Sequence, residues 1–323
     1  MKPAFSVIFL TTLIGAGQGL FLAWFSAEWL AHLNFLQANG ADYAGPVALL
    51  AFLLMAAGLV ASFFHLGHPE RAWRAAAMWR TSWLSREVIA LPLAMATVLL
   101  FAVIRLWDLD FEVTTLGNVP VSLSLLVGVL AVLAIFALFL CTAMIYASLP
   151  FLRQWHHPLT VLNFFLMGTA SGFTLASLVS ATGQSGSFDY FRGVAIFLIL
   201  AALMSRTLSL ARNRRLRSPS TLQSAIGVHH PSIRQIAQGA MGGSFNTRAF
   251  MHDCGPAVLL LAKRFFLLAA FVLPIVLLAI SAPGAWFVCA LAVALQFLGL
   301  LAERWYFFIE AEHPQNVYYQ MIS

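Results

Sequence analysis

The chain has 323 residues, of which 61% are hydrophobic and only 9% charged, and its mean hydropathy is +0.87. Soluble domains run near half apolar and a quarter charged, so a water-soluble fold is excluded and the bilayer must be the solvent for most of the surface. The net charge of +6 follows from how the few charges are distributed between the two faces and gives no independent reason to expect nucleic-acid binding. Cys141, Cys254 and Cys289 have no CxxC spacing, which excludes a self-contained zinc or iron–sulfur site and argues against a disulfide framework.

Crossing about 30 Å of hydrocarbon takes roughly 20 apolar residues in a helix. Eight such runs occur: Ala4–Leu30, Tyr43–Leu66, Glu87–Leu106, Pro120–Leu149, Pro158–Ala181, Phe191–Leu210, Pro256–Ala282 and Ala285–Phe308. The first follows Lys2 and outruns a signal-peptide core, so it is read as a span. The runs lack the alternation of barrel strands. The expected fold is therefore all-α, a single membrane domain over residues 1–323 with eight transmembrane helices. Between spans six and seven lies a long polar segment, residues 211–255, opening on the basic run Arg212–Arg217 and continuing through His229-His230-Pro231. It reads either as a loop with a lipid-facing basic patch or as a docking loop for a partner protein.

An even number of spans puts both termini on one face. All lysines and arginines lie on that face except Arg105 and Arg192, which share the other with Asp42, Asp108, Asp110, Glu112 and Asp189. The positive-inside rule then predicts both termini to be cytoplasmic.

Span one carries Gly15-Ala-Gly17-Gln18-Gly19. No strand precedes it, so small residues for close helix packing explain it better than a nucleotide loop. Gln18 reads first as an interhelical donor and second as a ligand contact. The densest polar cluster joins spans two and three: His65-Leu-Gly67-His68-Pro69-Glu70-Arg71, then Trp79-Arg80-Thr81-Ser82-Trp83-Leu84-Ser85-Arg86-Glu87. An imidazole and a carboxylate facing one pocket at interface depth could exchange two protons with a quinone headgroup. The plainer reading makes Ser85 a helix cap, Glu87 a first-turn carboxylate and His65 part of a helix end. The nine histidines all fall at predicted helix ends or in loops, so no axial pair for a haem is expected. Near the C-terminus, Glu303 and Arg304 either pair with a neighbouring helix or reach the pocket near His65.

The string His65-Leu66-Gly67-x-Pro69-x-Arg71-Ala72, with Leu84-Ser85-x-Glu87 after it, resembles the membrane-anchor subunit of the dimethyl sulfoxide reductase family. The ending Glu303-Arg304-Trp-Tyr and the loop motif Gln238–Asn246 look like the branch found with sulfite dehydrogenases. The resemblance implies a haem-free anchor in the bacterial inner membrane. Such an anchor exchanges electrons with ubiquinone or menaquinone. Its iron–sulfur and molybdopterin partners are expected on the cytoplasmic face. His65 and Glu87 match the family's quinone-site residues, with Arg71, Ser85 and Arg86 as their neighbours; Gln18 and Arg304, from their own placement, are further candidates for the surrounding shell. The chain is then not itself catalytic for the sulfur substrate. Two other readings stand beside sulfite oxidation: the anchor of a reductase oxidising menaquinol, and, from another class, a secondary transporter. No matched pair of broken helices supports the transporter.

Overall fold

The computed structural model describes residues 4–36, 43–116, 119–183, 186–216, 221–233 and 254–314. Lys2, Asp42, Arg217, Arg234, Arg248, His252 and the Gln238–Asn246 motif lie outside them.

Eight helices are long and apolar enough to cross a membrane. They are α1 (Phe5–His32), α2 (Ala44–Phe63), α3 (Trp83–Leu106), α4 (Leu123–Ala147), α5 (Pro158–Gly183) and α6 (Phe188–Asn213), then, after the five-residue α7 (Leu222–Ile226), α8 (Pro256–Ile280) and α9 (Trp286–Glu310). Every expected span is present, so the chain is a multi-pass membrane protein, and where residues separate from the predicted ends they do so for local reasons. Span two stops at Phe63 rather than Leu66, and a 3-10 helix, Pro69–Met78, fills the connection that follows, with Pro69 at its first position. Span three begins four residues before Glu87, because Ser82 is the cap: its Oγ accepts from Ser85 N–H at 3.4 Å. Ser85 therefore is not the cap, and Glu87 lies beyond the first turn, where capping and the helix dipole no longer explain it.

A small hairpin is the departure from an all-helical plan. Strands β1 (Glu112–Leu116) and β2 (Val119–Ser122) pair antiparallel where span four was expected to begin at Pro120. Valine and threonine favour the pleated surface over a helix start. Ser122 then caps α4 by accepting from Leu125 N–H at 3.3 Å.

The most enclosed spans are α1 and α5. Lipid supplies no hydrophobic drive between helices, so their contact depends on close approach. The glycines of span one provide it: a Cβ on Gly19 would stand 2.2 Å from Gly168 O, and one on Gly172 would stand 1.9 Å from Gly19 C. Around this pair α2 packs on α1, α6 and α9 on α5, and α3 on α4. The described part of α8 contains a π-helical turn, Leu268–Val272, lying against α9 at Gly299. Such turns gather at functional sites.

Candidate functional site: a polar cleft at the basic face

The fourth helical position after Trp83 brings Glu87 inward from the start of α3. Its Oε1 accepts a 2.5 Å hydrogen bond from Thr142 Oγ1 on α4. Together they wall a narrow cleft. From α1 come Thr11, Thr12, Gly15 and Gln18; from α5, Met167, Gly168 and Ser171; from α9, Leu300 and Arg304. Thr11 and Thr12 turn their hydroxyls back onto their own helix, to Val7 O and Ile8 O, which leaves methyl groups toward the space. Gln18 donates to Ile135 O of α4 at 3.4 Å, the interhelical reading, and also lines the cleft.

Arg304 is 5% exposed. Its guanidinium lies 3.8 Å over the face of Phe164, and its Nη1 is 3.5 Å from Glu303 Oε2. A desolvated cation gains most from such a stack. Phe164 belongs to a tight aromatic group with Tyr146, Trp155, Phe307 and Phe308, locked by Trp155 Nε1 donating to Phe307 O at 3.0 Å. Tyr146 lies within electrostatic reach of both Glu87 and Arg304. The cleft thus gathers a carboxylate, a guanidinium and an amide in a largely apolar wall. That combination can bind a flat, apolar molecule with two carbonyl oxygens, and can give it a proton.

Three of the residues singled out in the sequence, Glu87, Gln18 and Arg304, meet in this cleft. The others do not line it. His65 is exposed, two residues past the end of α2. Arg71 is half-exposed beside Glu70 at 3.6 Å. Arg86 donates to Trp79 O and Arg80 O at 2.9 and 2.8 Å and stacks on Trp83 at 4.2 Å, clamping the connection onto the start of α3. Ser85 is buried under that clamp. Glu303 does pair with a neighbouring helix, to Arg206 of α6 at 2.7 Å, while Arg304 reaches the cleft of Glu87 rather than His65.

Thr142, the ion cluster around Arg206 and a second polar site escaped the sequence. Thr142 is one hydroxyl in a long apolar run. Arg206 reads as one more positive-inside charge, although it is 2% exposed; its signal was an arginine well before the end of a span. At the opposite end of the bundle Arg105 pairs with Glu28 at 3.4 Å and with Asp110 at 3.3 Å. Asp110 also accepts from Ser124 N–H at 2.9 Å. Glu28, Arg105 and Ser124, with His32 and Ser122, border a second, open pocket. Among the described residues, no three His, Cys, Asp or Glu side chains are grouped to hold a metal.

Residues 1–309 match the family model described as the DMSO reductase anchor subunit (DmsC). Over 325 aligned positions, covering all of both chains, the sequence is 50% identical to a sulfite dehydrogenase subunit of Allochromatium vinosum. It is also 29% identical, over 59% of this chain and 62% of the other, to the anaerobic dimethyl sulfoxide reductase chain YnfH of Escherichia coli.

Proposed function

The chain belongs to the dimethyl sulfoxide reductase anchor-subunit family, and from that premise we propose that its cleft is where a membrane quinone exchanges electrons with an iron–sulfur partner. Family membership leaves the transporter reading without support. The full-length relative, itself named a sulfite dehydrogenase subunit, favours sulfite oxidation, with ubiquinone or menaquinone as the acceptor. A molybdopterin subunit would oxidise the sulfur substrate, and an iron–sulfur subunit would bring its electrons to this anchor. The more distant relative, a dimethyl sulfoxide reductase chain, keeps the reverse direction, oxidation of menaquinol, as the second reading. The membrane is the bacterial inner membrane. The basic face is cytoplasmic, and the partners dock on it, with residues 211–255 forming part of the landing surface.

The observation that carries the proposal is Glu87: a carboxylate held by Thr142 in a cleft at membrane depth that Arg304 also lines. A group of this kind is expensive to keep in lipid and is a functional candidate by default. The quinone is this protein's substrate. Arg304 and Gln18 can donate hydrogen bonds to its carbonyl oxygens, the apolar wall takes its ring, and Glu87 supplies a proton where the new O–H bond forms. His65 lies on the exposed connection leading to α3, and a docked iron–sulfur subunit would shield that connection. There it serves as the second proton-handling group, passing protons between water and the site.

The test uses the assembled complex in native membranes, with sulfite oxidation read by an artificial dye and by a short-chain ubiquinone analogue. Glu87→Gln and His65→Ala are expected to keep the dye-linked rate and lose quinone reduction. Full quinone turnover in both variants would leave the chain as a structural anchor alone.

A further inference from the structure

A quinone that accepts two electrons also accepts two protons, and Glu87 holds one at a time. A second polar path leads toward the cleft along α6 and α9, away from the connection that carries His65. Glu303 and Glu310 are seven residues apart on α9, so they share a face and sit about 10 Å apart along its axis. Arg206 of α6 bridges them: its Nε is 2.7 Å from Glu303 Oε1, and its Nη1 is 3.4 Å from Glu310 Oε2. The rings of Phe266 and Tyr306 lie 5.7 and 6.0 Å from the same guanidinium. Glu303 then touches Arg304, which lines the cleft. Exposure falls along this row from 14% at Glu310 to 1% at Glu303. Lys263 of α8 lies within electrostatic reach of Glu310 at its outer end.

Stability alone is a weak reason to keep such a cluster, since well-packed apolar residues often serve as well as a buried ion pair. Its polar atoms should also be saturated. They are not. Arg206 Nη2, Glu303 Oε2 and, alongside, Asn163 Oδ1 have no hydrogen-bond partner within the described chain. Each is a buried donor or acceptor that a bridging water would satisfy.

We propose that Glu310, Arg206 and Glu303 form a proton-input route from the basic face to the cleft; this rests on reading the cleft as the quinone site. Glu303, when protonated, releases its proton through water beside Arg304. The carboxyl O–H bond breaks, and an O–H bond forms on the quinone, whose two electrons come from the iron–sulfur partner. Glu87 supplies the other proton. Glu310 takes a proton from water at the face and passes it inward to restore Glu303. Arg206 orients both carboxylates. Glu303 acts as a relay residue and does not touch the substrate.

The experiment compares Glu303→Gln, Glu303→Asp and Glu310→Gln in the assembled membrane complex. The readouts are short-chain ubiquinone reduction, its solvent isotope effect in D2O, and binding of a fluorescent quinone-analogue inhibitor. Glu303→Gln is expected to lose about 100-fold in quinone reduction, the scale of a positioned proton donor. Its solvent isotope effect should rise and its inhibitor affinity stay within about twofold, well under the tenfold that 1.4 kcal/mol represents. Glu303→Asp should recover part of the rate, and Glu310→Gln, at the outer end of the row, should show a smaller loss with the same isotope signature. Unchanged turnover in Glu303→Gln and Glu310→Gln, or a loss of inhibitor binding that parallels the loss of rate, overturns the relay. If Glu87→Gln also leaves quinone reduction intact, the reading of the cleft itself has failed, and the two failures are thereby told apart.

Discussion

Replacing Gly172 by alanine tests the contact on which the cleft is built. The new Cβ would stand 1.9 Å from Gly19 C and 2.1 Å from Leu20 N, both backbone atoms that cannot swing aside. Ordinary contact begins near 3.4 Å, so α5 must move from α1 by about the difference, 3.4 − 1.9 = 1.5 Å. Overpacking of this kind costs about 1–3 kcal/mol, a factor of roughly 5 to 150 in the population of the intact bundle. The same shift widens the cleft, because α1 contributes Gly15 and Gln18 to it and α5 contributes Met167, Gly168 and Ser171. Gly193 supplies the control: it lies on a span, and a Cβ there meets nothing within 4 Å. The buried thiols of Cys141 and Cys289 report on the opening of the bundle. In detergent, thiol labelling against temperature should show an earlier transition for Gly172→Ala and an unchanged one for Gly193→Ala. Inhibitor binding should weaken only in the former. Coincident labelling curves for Gly172→Ala and the parent protein would refute the close crossing and the cleft geometry derived from it.

Thr142→Val keeps the shape of the side chain and removes the donor to Glu87. A typical hydrogen bond is worth about 0.5–1.5 kcal/mol net, so quinone reduction should fall about two- to tenfold in membranes while the complex still assembles. Gln18→Leu should leave assembly intact, since Ile135 O remains within its own helix, and should raise the concentration of quinone analogue needed for half-maximal rate. His157 precedes α5, and its Nδ1 accepts from Leu159 N–H at 3.2 Å. Burial, then Arg212 and His156, lower its pKa from the usual histidine value. A depressed folded pKa means that its stabilising contribution is full above the unfolded value near 6.5 and is lost as pH falls through the folded one. The protection factor of Leu159 N–H, referred to the intrinsic exchange rate at each pH, should therefore fall on acidification below about pH 6.5, and His157→Asn should flatten that dependence. A periplasm-active reporter fused at Ser323 would reverse the proposed sidedness.

The helices were legible because an apolar run of the right length admits few alternatives in lipid. The ends were less so: Ser82 and Ser85 are both plausible caps three residues apart, and only the geometry distinguishes them. Glu87 could be picked out because it closes the dense polar cluster at the start of a span and matches the family's hairpin motif. Its partner Thr142 could not, since nothing in the order of the chain says that the end of α4 faces the start of α3. The same limit hid the cluster on α6 and α9. Arg206 and Glu303 are separated by almost a hundred positions, and each alone looks like a charge at a helix end. Burial turns them into a pair, and burial depends on which helices are neighbours. The resemblance carried His65 to the site, whereas the geometry brings Gln18 and Arg304 there instead and leaves His65 on the exposed connection.

The two polar clusters differ in what they can reach. Glu28 stands ten residues beyond Gln18 on α1, about 15 Å along the helix. Between them α1 places Phe21, Trp24 and Phe25, which pack edge-on and face-on against Phe101 and Phe191. These rings are buried and form a mostly apolar layer, crossed beside them by the contact of Ser26 Oγ with Tyr190 OH at 2.9 Å. The cluster of Arg105 and Asp110 shares no residue with the cleft. The cleft, in contrast, shares Arg304 with the chain of carboxylates that ends at Glu310. Protons consumed at Glu87 would then come from the basic face, the face on which the electrons are proposed to arrive. Charge delivered and charge neutralised would enter from one side, and quinone reduction would move no net charge across the bilayer.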